Sequence, residues 1–322
     1  MSLKTTLAWL LHPIERRIDL LKGERDGPVQ IHSYGGYQTP DGTVLRGRIL
    51  SVGRTSTVYE NQSRFRNAWQ FLRLFVTDER AQVPVRVLGT SITTNTDDEG
   101  YFHIVIPRDT ALPDGPATVA VHGVKQTIEV FDTPSKASFG VISDIDDTMM
   151  RTGAHSIWLN LWTSITGNPT SREVFPDAIR LMSAYAAQGA QFFYVSSSPW
   201  NLHGYLREVF RRSGLPKGPM FLRDLGLSDT QFVTGTHDDH KGRAIETILT
   251  ANPDLCFVLI GDTGQHDAEI YERIAANYPK RIARIILREP TSRARMKVKS
   301  AIEASRRRGF QVDVASTFDH LA

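Results

Sequence analysis

The most restrictive feature of this chain is a series of short apolar runs spaced through its C-terminal part. Phe139-Gly-Val-Ile-Ser, Gln191-Phe-Phe-Tyr-Val, Pro219-Met-Phe-Leu, Leu255-Cys-Phe-Val-Leu-Ile and Ile282-Ala-Arg-Ile-Ile-Leu each have the length of one strand. Stretches of helical texture separate them, such as Lys241 to Leu249 and His266 to Tyr278. In the second of these, Ile270, Tyr271, Ile274, Ala275 and Tyr278 share a face. Strands apolar on both sides, alternating with helices, imply a parallel sheet covered on both faces. In such a sheet, ligands bind at the carboxyl ends of the strands. The residues that follow each apolar run are therefore where chemistry is expected.

Upstream the texture differs. Val29-Gln-Ile-His, Val44 to Leu50, Val83 to Leu88, Tyr101 to Ile106 and Ala117 to Val121 are short and rich in β-formers. Pro40-Asp-Gly, Asp97-Asp-Glu-Gly and Pro113-Asp-Gly punctuate them. This pattern predicts a β-sandwich with one helical insertion near Arg64 to Phe75. Asp97, Asp98 and Glu99 read as a solvated turn. Leu3, Leu7, Leu10, Leu11, Ile14, Ile18 and Leu21 lie at helical spacing, interrupted by Pro13. Phe131-Asp-Thr-Pro-Ser-Lys reads as a linker. The expected organisation is a helix plus β-sandwich over 1–135, then a Rossmann-like α/β domain over 136–322.

Four segments at or after strand ends carry complementary polar groups. They are Asp144-Ile-Asp146-Asp147-Thr148, Ser196-Ser197-Ser198-Pro199, His237-Asp238-Asp239-His240-Lys241 and Gly261-Asp262-Thr263-Gly264-Gln265-His266-Asp267. An apolar strand that runs straight into three carboxylates is poorly explained by stability, because like charges repel. Phosphoryl transfer requires such a set. A phosphate monoester is dianionic, so a divalent cation and a fixed positive side chain must offset its repulsion of a nucleophile. Mg²⁺ takes oxygen ligands and is often held by one or two carboxylates plus substrate phosphate. Asp144 and Asp262 read as those carboxylates, Lys241 as the fixed cation and Ser196 as a hydroxyl donor to a phosphate oxygen. Ser197 and Ser198 are further candidates for that task. Asp144 is placed to attack phosphorus, and Asp146 to protonate the leaving oxygen and then activate water. Asp147 reads as a cap or an outer contact of the metal site, and Thr148 as orienting the Asp146 loop. An EF-hand loop starting at Asp144 would need Gly and Glu where Met149 and His155 stand.

Asp-Ile-Asp-Asp-Thr after an apolar strand resembles the first motif of the haloacid-dehalogenase-like superfamily. Ser196, Lys241 and Gly261-Asp262-x₄-Asp267 resemble its second, third and fourth motifs in order. More narrowly, Val-Ser-Ser-Ser-Pro-Trp, His-Lys and Ile-Gly-Asp-x-Gly-x-x-Asp-x-Glu-x-Tyr resemble the catalytic domain of actin-patch-associated phosphatidate phosphatases. The resemblance spans roughly residues 136 to 322. It implies a haloacid-dehalogenase-like fold and Mg²⁺-dependent conversion of phosphatidate to diacylglycerol. Its catalytic residues would be Asp144, Asp146, Ser196 and Lys241. Phosphate would lie on Ser196, Ser197 and Lys241, and metal on Asp144, Asp146, Asp262 and Asp267. Asp267 has alternatives: ligation through water, a hold on Lys241, or a helix N-terminal charge. The same chemistry on a soluble ester, and phospholipid binding without catalysis, are the rival readings.

Net charge is only +3, yet Lys280 to Arg308 holds eleven Lys/Arg against two Glu. The basic stretch Arg293 to Arg308 reads as a solvated helix or a contact to an anionic membrane surface. No nucleic-acid module accompanies it. The apolar, aromatic stretch Ile157 to Trp162 reads as core or as a lip over the site. The single cysteine, Cys256, reads as a small buried hydrophobe and excludes an intramolecular disulfide. With no membrane span or signal pattern read, the expected location is cytoplasmic, with peripheral membrane contact.

Overall fold

The computed structural model describes residues 28–51, 80–112, 116–131, 137–151, 174–223, 237–289 and 296–321. The N-terminal helix, the helical insertion at 64–75, most of the linker and the stretch 157–162 lie outside the described residues.

The first part is built of strands β1 (Val29–Thr39), β2 (Gly42–Ser51), β3 (Pro84–Val87), β4 (Thr93–Asn95), β5 (Tyr101–Pro107), β6 (Thr118–Val121), β7 (Val124–Thr127) and β8 (Val130–Phe131). They form two four-stranded sheets, ordered β5-β2-β1-β8 and β4-β3-β6-β7. All pairs are antiparallel except β1 with β8. In β5 every second residue is buried, as a strand with one covered face requires. Ile31, Leu45, Ile49 and Ile104 of the first sheet meet Val85, Val87, Val119 and Val121 of the second in one apolar core. The turn before β5 is closed by Asp97, whose Oδ1 accepts from the amides of Glu99 and Tyr101 at 3.0 and 2.8 Å.

The second part is a six-stranded sheet, parallel throughout. Its strands are β9 (Gly140–Asp144), β10 (Gln191–Pro199), β11 (Met220–Arg223), β12 (Phe257–Asp262), β13 (Ile282–Arg288) and β14 (Gln311–Ala315), ordered β11-β10-β9-β12-β13-β14. The first strand in sequence is thus central, and the winding reverses beside it. This is the doubly wound order, and it opens a crevice at the carboxyl end of β9.

Helices α1 (Pro176–Ala187) and α2 (His203–Ser213) cover one face. Helices α3 (His237–Ala251), α4 (Asp267–Asn277) and α5 (Met296–Arg307) cover the other. Neighbours in β9 serve opposite faces: Val141 packs with Leu181, Met182 and Leu206, and Ile142 with Ile245, Ile248 and Ile274. Tyr37 and Val44 of the β-part join the core around Ile142, so the two parts share packing.

Three sequence expectations are corrected. Cys256 is exposed, with its Sγ 3.4 Å from the Lys280 carbonyl, because it precedes β12 between two inward residues, Leu255 and Phe257. Lys241 does not open its helix but lies one turn inside α3. The basic block is not wholly a surface: Arg288 is buried and Arg281 donates to the carbonyls of Leu249, Leu255 and Asn252. Among the described residues, no helix is long and apolar enough to cross a membrane.

Candidate active site

Asp144 is the last residue of β9, at the crevice, and is 1% exposed. Its Oδ2 accepts from Thr148 Oγ1 at 2.9 Å, and its Oδ1 lies 2.7 Å from Lys241 Nζ. Thr148 therefore steadies Asp144 directly, and the same bond spans the turn that carries Asp146. It can do so because the chain turns sharply after Asp146. Asp147 adopts a left-handed φ of 59°, and its amide donates to the Met150 carbonyl at 2.8 Å.

Asp146 faces β10. Its Oδ2 accepts from Ser196 Oγ at 2.6 Å and from Ser198 Oγ at 2.8 Å. Ser196 Oγ also accepts from the Ser198 amide at 2.8 Å. Ser197 is half-buried and lies between them in sequence, and no such bond joins it to Asp146. Side-chain alternation along a strand puts residues i and i+2 on one side. That signal could have paired Ser198 with Ser196 from sequence alone.

Asp262 ends β12, fully buried. Its Oδ1 accepts from the amides of Gly264 and Gln265 at 2.5 and 2.7 Å, while its Oδ2 is buried without a partner. Asp267, the first residue of α4, receives Lys241 Nζ on Oδ1 at 2.5 Å and the Asp262 amide on Oδ2 at 3.2 Å. Of the roles open to Asp267, the hold on Lys241 is therefore present. Gly261 makes the approach feasible, since a Cβ there would sit 2.6 Å from Asp267 Oδ2.

Carboxylate oxygens of Asp144, Asp262 and Asp267 come within 4.8 Å of one another, all buried. Asp146 is outside this trio, with one oxygen taken by two serines. Three converging carboxylates and an orphaned Oδ2 on Asp262 suit a hard divalent cation such as Mg²⁺.

The charges act on one another accordingly. Burial pushes the Asp144 carboxyl well up; Lys241 draws it back, and Asp267, Asp262 and Asp146 push it up again. Burial and then Asp267 raise Asp262 to about 7, against the pull of Lys241 and the two loop amides. Burial alone would lower Lys241, but Asp144 and Asp267 outweigh it and hold the ammonium above its ordinary range.

Arg288, at the end of β13, was not singled out from sequence. Its Nε donates to the Thr148 carbonyl at 2.9 Å, and its Nη1 donates to Asp177 Oδ2 at 2.9 Å and the Ser316 carbonyl at 3.1 Å. The rings of Phe175 and Phe318 flank its guanidinium at 4.2 and 4.0 Å. It braces the Asp144 to Thr148 turn from below.

Residues 139–289 match the family model described as the catalytic domain of phosphatidate phosphatase APP1. The chain is 30% identical over 156 residues to phosphatidate phosphatase APP1 of Saccharomyces cerevisiae, covering 48% of this chain and 26% of that protein. It is 27% identical over 246 residues to an uncharacterised protein of Schizosaccharomyces pombe, covering 72% of this chain and 39% of that one. The chain thus spans between about a quarter and two-fifths of these relatives. Among solved structures, a class C acid phosphatase from Bacillus anthracis with tungstate bound gives a TM-score of 0.31 at 14% identity, covering 46% of this chain and 66% of that one. All four site segments, Asp144 to Thr148, Ser196 to Ser198, Lys241 and Asp262 to Asp267, fall inside the matched region, so it is through residues 139–289 that the chain is similar to the catalytic domain of phosphatidate phosphatase APP1.

Proposed function

We propose that this chain is a Mg²⁺-dependent phosphatase of the haloacid-dehalogenase-like kind that converts phosphatidate to diacylglycerol through an aspartyl-phosphate on Asp144. The observation that carries it is the buried constellation at the end of β9: Asp144 bonded to Lys241 at 2.7 Å, with Asp262 and Asp267 converging on it.

Thr148 and Lys241 each fix one oxygen of Asp144, so the carboxylate is oriented before substrate arrives. Lys241 places a positive charge where phosphate oxygens would lie. Asp144 attacks phosphorus in line, and Asp146 gives its proton to the leaving alkoxide as the P–O bond breaks. Asp146 then takes a proton from the water that hydrolyses the acyl phosphate. The hydroxyl of Ser196, already beside Asp146, can turn to a phosphate oxygen. Asp144 and Asp262 would hold the Mg²⁺, which supplies charge to offset substrate repulsion.

The lipid substrate is supported by the family match, since these residues recognise phosphate and not acyl chains. A peripheral membrane contact is supported by α5, which buries Val298, Ala301 and Ile302 and exposes Lys297, Lys299, Arg306 and Arg307.

Phosphate release from phosphatidate in detergent micelles, with Mg²⁺ and with EDTA, tests the reading beside a panel of soluble phosphate esters. Asp144→Asn should abolish release with the fold intact. Undiminished turnover in that variant would remove the nucleophile assignment, and preference for a soluble ester would remove the lipid.

A further inference from the structure

Strand β10 leaves its ladder with β11 at the site. Val195 pairs with Phe221, the register then shifts, and Pro199 pairs with Arg223. The irregular stretch contains Ser196 and Ser198, the two donors to Asp146. A bulged strand re-aims side chains, and its geometry must be held at both ends. The near end is held by Val195 against Asp144 in β9. The far end runs into Trp200, and there the β-part takes hold.

Tyr34 of β1 stacks on Trp200 with ring centroids 4.5 Å apart. Arg46 of β2 places its guanidinium 5.2 Å from the Trp200 ring, 4.6 Å from Phe221 and 4.9 Å from Tyr37. Its Nη2 donates to the Met220 carbonyl at 3.1 Å. Arg46 thus grips both flanks of the bulge, the β11 edge and the residue after Pro199. The arrangement is not explained by stability alone. Arg46 is 9% exposed, forms no ion pair among the described residues, and leaves Nε buried without a partner. A buried cation without a carboxylate is costly, and departures from local rules gather where function demands them.

We propose that Arg46 and Tyr34 are positioning residues for catalysis: through Trp200 they hold the Ser196–Ser198 bulge, so that Ser198 keeps Asp146 in place as proton donor when Ser196 turns to phosphate. The β-part is then a component of the active site's geometry. This rests on the phosphatase reading above, and specifically on Asp146 as the acid that protonates the leaving oxygen.

The test uses the leaving group. General acid catalysis matters most when the leaving oxygen is basic, as in an alkyl phosphate, and least for an aryl phosphate. Values of kcat/KM, which report steps up to formation of the phosphoenzyme, are measured for short-chain phosphatidate and for p-nitrophenyl phosphate. The proteins are the 322-residue chain as wild type and as Arg46→Met, Arg46→Lys, Tyr34→Leu and Asp146→Asn. Arg46→Met and Tyr34→Leu should lose on the order of tenfold or more on the alkyl ester and less than about threefold on the aryl ester. Arg46→Lys, which keeps the cation, should recover part of the loss. Simple destabilisation would lower both substrates in the same proportion, and that result in both variants overturns the proposal. Asp146→Asn separates the two readings. If it discriminates between the esters and the Arg46 and Tyr34 variants do not, the brace is wrong. If Asp146→Asn itself fails to discriminate, the acid assignment falls and takes the brace with it.

Discussion

Lys241→Met isolates the central electrostatic relation of the site. The side chain is 5% exposed, and its Nζ lies 2.7 Å from Asp144 and 2.5 Å from Asp267. At an effective dielectric of about 20, two unit charges at those separations attract by about 6–7 kcal/mol per pair. The desolvation of three buried ions offsets much of this. Removing one partner of a buried pair therefore costs about 3–5 kcal/mol, chiefly as charge left uncompensated. Methionine keeps the volume, so packing contributes little. Without Lys241 the carboxylates repel unopposed and their pKa values rise further. Carboxyls that bind protons more tightly folded than unfolded lose stability as pH rises. The loss in Lys241→Met should thus be larger at pH 8 than at pH 6. Mg²⁺ present at about 100 times its Kd would return about 2.7 kcal/mol. Urea denaturation at both pH values, with Mg²⁺ and with EDTA, reads each quantity. A loss below about 1 kcal/mol at pH 8 in EDTA, or an equal loss at both pH values, would refute the reasoning. Phosphate release should fall by at least about 100-fold.

Three further outcomes follow from the same geometry. Metal-free protein should lose thermal stability between pH 6 and 8, where Asp262, raised to about 7, must give up its proton, and Mg²⁺ should raise the Tm more at pH 8; thermal scans with and without EDTA read this. His203, packed edge-on to Tyr34, is pushed down to about 3 by burial and then by Arg207, Arg46 and His32, so its imidazole should stay neutral at pH 5 by NMR. The unfolded imidazole titrates near 6.5, so its contribution is present above that value and is lost as pH falls toward 3. Arg288→Met should destabilise by about 3–5 kcal/mol in denaturant melts, because it strands the buried Asp177 carboxylate.

What the sequence revealed and what it concealed divide along physical lines. The apolar runs of β9, β10 and β12 are nearly continuous, and each ends in a polar motif, so these strands and the candidate site were readable together. Asp262 and Asp267 declared themselves by type and position at and just after the end of β12, and Lys241 by type within a polar cluster. Arg46 did not, because its partner Met220 lies 174 residues away. Nothing local distinguishes it from Arg48, whose guanidinium lies over Tyr101 instead. Arg288 was lost in a basic block that looks like surface, although two phenyl rings and Asp177 bury it. The bond from Thr148 to Asp144 depends on the left-handed turn at Asp147, which folds the chain back on Asp144 and has no glycine to announce it. Strand β14 went unread because it is short and only one of its residues, Val312, is buried.

The ties made by Arg288 bear on how this molecule can be divided. The family match stops at residue 289, yet Phe318 is fully buried, its amide donates to Asp177 Oδ2, and Arg288 reaches the Ser316 carbonyl. A fragment trimmed to the match would remove α5 and β14, leave β13 as a long open edge, and take one aromatic wall from Arg288. Such an edge invites intermolecular pairing. On the opposite side, deleting the β-part would strip Arg46 from the other edge strand, β11. The segment recognisable by homology is therefore smaller than the segment that can be cut out and expressed, and expression boundaries belong beyond residue 318 and before β1.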